Sequence, residues 1–154
     1  MTETGLDRIL ETHLGKGDNT VSTNAYIGMV TDEGTIRYIY SHWDGYLSGV
    51  GNTLLENYNT TAQVQELLAN GDVSVLADSI ETSEFYHRDR GEPLNGVAAQ
   101  ETDDLYDLSN EFNYVWTGSE WLVDQGCTGW FKLAYLIEAE VENPEDYMFN
   151  REVA

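Results

Sequence analysis

The chain has 154 residues and carries 28 Asp plus Glu against 7 Lys plus Arg, a formal net charge of −21. So few cations exclude a basic stripe for phosphate, and with it direct nucleic-acid binding by charge neutralisation and docking onto anionic lipid. A composition that is 41% hydrophobic and 12% aromatic, with ten Tyr, four Trp and only two Pro, excludes a solvated disordered chain and predicts one compact, very acidic domain.

Residues 1–20 read as an N-terminal extension and linker. Leu6, Ile9, Leu10 and Leu14 give a short amphipathic helix that stops in Gly15-Lys16-Gly17-Asp18-Asn19. The start has neither the cationic nor the apolar segment of a secretory signal. The longest apolar run, Leu133 to Ile137, is far short of the roughly 20 residues a membrane span needs. A single cysteine, Cys127, forbids an internal disulfide and a four-cysteine zinc site. Together these predict a cytoplasmic protein with no membrane partner.

The single domain is expected over residues 21–154. Asn24 to Thr31 and Thr35 to Ser41 are β-branched and aromatic runs around Asp32-Glu33-Gly34, a hairpin signal. On the second strand Ile36, Tyr38, Tyr40 and His42 share one face, and Arg37, Ile39, Ser41 and Trp43 the other. Large side chains on both faces predict a central strand. A glycine-rich turn, Asp44 to Gly51, leads into a helix with Val50, Leu54 and Tyr58 on one stripe. A second helix begins at Thr60 with Gln63 completing a capping box and Gly71 in the C-terminal glycine position. Ser83 to Arg88 predicts a strand, Gly91 to Thr102 a loop, and Asp103 to Asn110 one helical turn. Glu111 to Trp116 and Trp121 to Asp124 predict a second hairpin around Thr117-Gly118-Ser119-Glu120, with Trp130 to Leu133 extending the sheet. A last helix should run from about Leu133 to Glu142, before Pro144. The expected fold is therefore α+β: a mainly antiparallel sheet of two hairpins plus extra strands, with a helix pair and a C-terminal helix packed on it.

Several of these segments carry a resemblance. Tyr26-Ile27-Gly28, then Ile39-Tyr40-Ser41-His42-Trp43-Asp44-Gly45-Tyr46, then Gly49-Val50-Gly51 with Leu54-Leu55-Glu56-Asn57-Tyr58, resemble a largely uncharacterised family of small bacteriophage and prophage proteins. Gly71 to Leu76, Tyr86 to Glu92 and the aromatic hairpin Tyr114 to Trp121 are similar as well, so the likeness spans about residues 22–135. Relatives often have Cys at the Ser41 position and Pro at the Leu47 position. The resemblance implies a phage setting and an accessory protein acting on host machinery. It implies no mechanism, and the acidity is outside it.

Three clusters could carry chemistry. Two His-x-Asp pairs, His42/Asp44 and His87/Asp89, each place an imidazole and a carboxylate on one face of an extended segment. On neighbouring strands they would supply four metal ligands for a hydrolase. The plainer reading is that each Asp caps a turn and orients its His. Arg88 and Arg90, with Arg37 and the glycine-rich helix entry, offer guanidinium forks and backbone N–H groups for phosphate. Trp43, Tyr46 and Tyr86 could stack a base, so a small nucleotide is one expected ligand. Here the plainer reading is ion pairing with neighbours such as Asp89, Glu92 and Asp44. Cys127 as a nucleophile has no supporting signature around it and reads as a packing residue.

The third cluster is the acid itself. Residues 101–154 hold thirteen acids against Lys132 and Arg151, and Glu138, Glu140, Glu142, Glu145 and Asp146 fall within nine residues. In a helix that segment spans roughly 13.5 Å, about one charge per 2.7 Å. Duplex DNA carries about one per 1.7 Å. With the Asp103/Asp104/Asp107 turn, this surface could imitate a phosphate backbone. The leading expectation is a non-enzymatic, phage-encoded decoy without a cofactor, which inhibits a basic nucleic-acid-binding host defence or processing protein. Solubility and adaptation to salt are the competing explanations of the charge.

Overall fold

The computed structural model describes residues 22–138. The predicted extension over residues 1–20 and the predicted helix beyond residue 138 lie outside that range. The first hairpin forms as its residues dictate. Strand β1 (Ala25–Val30) pairs antiparallel with β2 (Ile36–Ser41), in register from Ala25↔Ser41 to Val30↔Ile36. Gly34 takes φ +86° in the turn, a conformation glycine adopts without steric cost. A π-helical turn (Leu47–Gly51) runs into helix α1 (Asn52–Asn57). Helix α2 (Thr61–Ala69) starts with the capping box: Thr60 Oγ1 accepts from Gln63 N, and Gln63 Oε1 accepts from Thr60 N.

Strands β3 (Val73–Val75) and β4 (Glu84–Phe85), helix α3 (Leu94–Val97) and strand β5 (Gln100–Thr102) follow. A 3₁₀ turn (Leu105–Asp107) then precedes β6 (Phe112–Trp116), β7 (Trp121–Asp124), β8 (Trp130–Lys132) and helix α4 (Leu133–Glu138). The sheet order is β4-β3-β2-β1-β6-β7-β8, with β5 also paired to β2. Five of the seven pairings are antiparallel; β1–β6 and β2–β3 are parallel. The fold is α+β with a mostly antiparallel mixed sheet, and β2 is central.

Three details depart from the expected elements. The strand expected over Ser83–Arg88 is only two residues long. Beyond it the Asp89 carboxylate accepts from Phe85 N at 2.8 Å and Asp89 N bonds Phe85 O, which turns the chain away from the sheet. The loop expected over Gly91–Thr102 contains α3 and β5. Val73–Val75, without an alternating pattern long enough to identify it, forms β3.

The far edge of β2 is shared. Strand β5 covers Ile36 to Tyr38 and β3 meets Ser41. Between them Tyr40 N would lack a ladder partner, and Asp72 Oδ1 accepts from it at 2.9 Å. Burial then raises the Asp72 carboxyl to about 6, with the Tyr40 N–H opposing that rise and Glu92 adding to it. The left-handed Gly71 beside it lies so close to α3 that a Cβ would meet Val97 O at 2.6 Å.

Helices α1, α2 and α4 cover one face of the sheet. Ile27, Ile39, Tyr114 and Trp121 pack there against Leu54, Leu67 and Leu136, all essentially inaccessible. The buried indoles are satisfied: Trp121 Nε1 donates to Tyr58 O at 2.8 Å, and Trp116 Nε1 to Thr61 Oγ1 at 3.0 Å. These two bonds tie β6 and β7 to the start of α2. On the opposite face a smaller cluster of Ile36, Leu108 and Val115 packs with Tyr26, Tyr38 and Trp130. Among the described residues no helix packs on this cluster. Leu108 reaches this face from the segment that follows the 3₁₀ turn, so the turn lies on this side of the sheet.

Candidate binding surface

The loop after β2 is fixed by its backbone. Gly45 N donates to Thr23 O at 2.9 Å, and the buried Tyr114 hydroxyl donates to Gly45 O at 2.6 Å. Desolvation pushes that phenol far above its ordinary value, which keeps it a neutral donor. Val50 N returns to Asp44 O at 2.8 Å. A Cβ at Gly45 would stand 2.8 Å from the Asn24 backbone, and one at Gly49 only 2.2 Å from Asp44 O. Only glycine fits at either place. Asp44 itself sits at φ +60°, a left-handed conformation that surrounding structure must impose on a non-glycine residue.

This locked loop carries Trp43 and Tyr46 outward, 39% and 40% exposed, with the exposed Asp44 between them in sequence. The Tyr46 hydroxyl donates to Asp44 Oδ1 at 2.8 Å, a bond that holds the phenol above its ordinary pKa. Trp43 meets His42 edge to face, with centroids 4.7 Å apart. The contact chain continues through Tyr40 at 5.8 Å, then Tyr26 at 6.5 Å, then Tyr38 at 5.0 Å. An aromatic row thus extends from the loop along the face of the sheet that carries Tyr38 and Tyr26. The period-2 pattern placed Tyr38, Tyr40 and His42 together, but not the contribution of Tyr26 from the neighbouring strand.

Arg88 and Arg90 are exposed, and each is held by its neighbours. Arg88 chelates Asp89 through Nε (3.0 Å) and Nη2 (2.9 Å) and donates to Ile80 O and Ser83 O. Its guanidinium lies 4.9 Å from the Phe85 ring centroid. Arg90 bonds Glu84 at 2.9 Å and Ser74 Oγ at 3.0 Å, over the Tyr86 ring. These bonds lower the Asp89 carboxyl and raise Arg90. Ser74 also accepts from Trp43 N through its carbonyl, so Arg90 and Trp43 meet at one residue while Arg88 is directed to the 79–83 turn. The nucleotide reading required these forks to be available for phosphate. In the structure carboxylates, carbonyls and a hydroxyl occupy them.

The four expected metal ligands do not form a set. Strand β3 separates β2 from β4, and His87 and Asp89 lie in turns after β4 rather than on an extended face. His87 Nδ1 pairs with Glu92 O at 2.7 Å, and Asp44 and Asp89 serve their own turns. Among the described residues no group of three or more His, Cys, Asp or Glu side chains could hold a metal ion. Cys127 is exposed at φ +67° in the turn before β8, its N–H held by the buried Asp124 carboxylate at 2.8 Å. Strands β1 and β6 lie between it and β2, after which His42 follows, so no base adjoins the thiol from there.

The acidic turn is built by its own side chains. Asp104 Oδ1 caps Tyr106 N at 2.9 Å, Thr102 Oγ1 bonds the Asp107 carboxylate, and Leu108 is the apolar peg, 1% exposed. Asp103, Asp104 and Asp107 are exposed, and Tyr106 between them is 84% exposed. Tyr106 is a surface ring that the acidic pattern alone does not single out, although it stands amid three acids in the sequence. Glu138 is exposed on α4, whose Leu133 and Leu136 pack on the helix-covered face. The turn lies over the other face, so Glu138 and the three aspartates do not form one continuous strip. Glu140, Glu142, Glu145 and Asp146 lie outside the described residues.

Residues 22–138 hold nineteen acids and four cations. Arg88, Arg90 and Lys132 are paired with Asp89, Glu84 and Glu120. No helix among the described residues is long and apolar enough to cross a membrane. Compared with protein-family models, with curated proteins and with solved structures, the chain matches none.

Proposed function

We propose that the protein is a non-catalytic acidic binding module that occupies the basic nucleic-acid groove of a host protein, the role of a phage-encoded decoy. The observation that carries this reading is the division of charge. Three of the four described cations are tied to acids, while Asp103, Asp104 and Asp107 stand exposed on a turn held by hydrogen bonds and one apolar peg. The field outside is therefore anionic, and an anionic field raises association rates with cationic clefts and weakens as salt screens it. The acidic turn would meet the partner, with the exposed Glu138 contributing from another side.

Capture from host lysate at low and high salt tests the class. One dominant basic nucleic-acid-binding protein, released by salt and competed by nucleic acid, is expected. Reversing Asp103, Asp104 and Asp107 to Lys should weaken that capture at least tenfold, because each reversal turns an attraction into a repulsion. Unchanged capture by this variant would overturn the reading. Nucleotide binding would need Arg88 or Arg90 to exchange its present partners for phosphate. Strong thermal stabilisation by a nucleotide would favour it over the decoy.

A further inference from the structure

We propose that Trp43, Asp44 and Tyr46 form a receptor for a guanidinium group, the arginine side chain of a basic protein partner. The loop that carries them is over-determined. A left-handed Asp44, a π-helical turn and two glycines with no room for a Cβ hold it in one shape. Backbone strain of about 1–3 kcal/mol persists only where the surroundings enforce it, and here it keeps two large rings about 40% exposed instead of folding them into the core.

The chemistry on display selects a cation. The faces of Trp and Tyr attract a planar cation, and a carboxylate accepts the guanidinium fork. No ion pair among the described residues engages Asp44. Arg90, which shares Ser74 with Trp43, is already bound to Glu84 and stacked on Tyr86. The region expected to stack a nucleobase beside phosphate-binding arginines therefore offers rings and negative charge, and the sign of the preferred ligand reverses. Arginine suits it better than lysine, because a planar group can lie on a ring while its edge meets the carboxylate.

The inference takes its partner, a basic protein, from the decoy reading and adds the side chain that reads it. The test uses the full chain with nona-arginine and nona-lysine, peptides of equal charge, followed by tryptophan indole NMR. Nona-arginine is expected to bind about tenfold more tightly than nona-lysine and to shift the Trp43 indole N–H. In Trp43→Ala the ratio should fall to about twofold. Asp44→Asn tolerates the left-handed backbone and keeps an oxygen for the Tyr46 hydroxyl. It should lower nona-arginine affinity several-fold without loss of folding. Equal, salt-sensitive binding of both peptides with an unmoved Trp43 signal would overturn the receptor and leave the decoy standing. Failure of both peptides to bind at low salt would overturn both.

Discussion

The loop after β2 and the turn before β6 both present aromatic rings beside carboxylates, and they are built by opposite means. The Trp43–Gly51 loop is held by its backbone and by the buried Tyr114 hydroxyl, with glycines where no side chain fits. The Leu105–Asp107 turn is held by its own polar side chains and a single apolar anchor, Leu108. Backbone locking leaves the side chains of the first loop available to a ligand without altering its shape. In the second, the acids that would meet a partner also hold the turn, so recognition and structure are coupled there.

A large effect should come from Gly49→Ala. The new Cβ would lie 2.2 Å from Asp44 O, a backbone atom that cannot move without releasing Val50 N. A loss at or above the usual overpacking range of about 1–3 kcal/mol is expected in urea denaturation. A neutral result would show that the loop is not locked. Leu108→Ala tests the other side of the comparison. Removing a fully buried leucine costs about 2–5 kcal/mol, and here it should also free the turn, seen as amide exchange at Tyr106 and Asp107 well beyond that elsewhere. Exchange changing only in step with global stability would break the contrast.

Asp72 gives a pH-dependent effect. Its folded carboxyl is raised to about 6 from 3.8, so the folded state holds the proton more tightly than the unfolded one. The stability cost of its ionisation is absent below about pH 4 and grows as pH rises through 6. Asp72→Asn retains an acceptor for Tyr40 N and removes that cost. Relative to the wild type it should be stabilised at pH 7.5, by no more than about 3 kcal/mol. The gain should vanish near pH 4. A gain that did not change between the two pH values would contradict this origin. The smallest effect is expected from Thr102→Val. It removes the hydroxyl that bonds Asp107 and Asp104 N at about 0.5–1.5 kcal/mol, and should slow capture by a basic partner more than it lowers stability.

Much of the fold was legible because its signals are local. The Gly34 turn, the Thr60/Gln63 capping box and the alternation along Ile36–His42 each depend on residues a few positions apart. The sheet's parallel pairings were not legible, since β1 meets β6 across more than eighty residues. Val73–Val75 is too short to show a period. The site divides the same way. The Trp43-Asp44-Gly45-Tyr46 segment and the Asp103–Asp107 acids could be singled out by type, and Arg88 and Arg90 by rarity. Whether those arginines faced solvent or their neighbours depended on Glu84, Ser74 and the carbonyls of Ile80 and Ser83, which only folding brings to them.

The sequence by itself determined the sign of the surface, the two hairpins and the positions of the caps and glycine turns, because composition and short-range geometry are properties of the chain. The tertiary structure alone decided that Asp72 fills the gap between β3 and β5 and that Glu138 and the acidic turn lie on opposite faces. It also decided that Trp43 and Tyr46 stand exposed, with Tyr46 on the Asp44 carboxylate, while the nearby arginines are already paired. The physical reason is that charges and hydrogen bonds act over a few ångströms, and those distances between remote residues exist only once the sheet has formed.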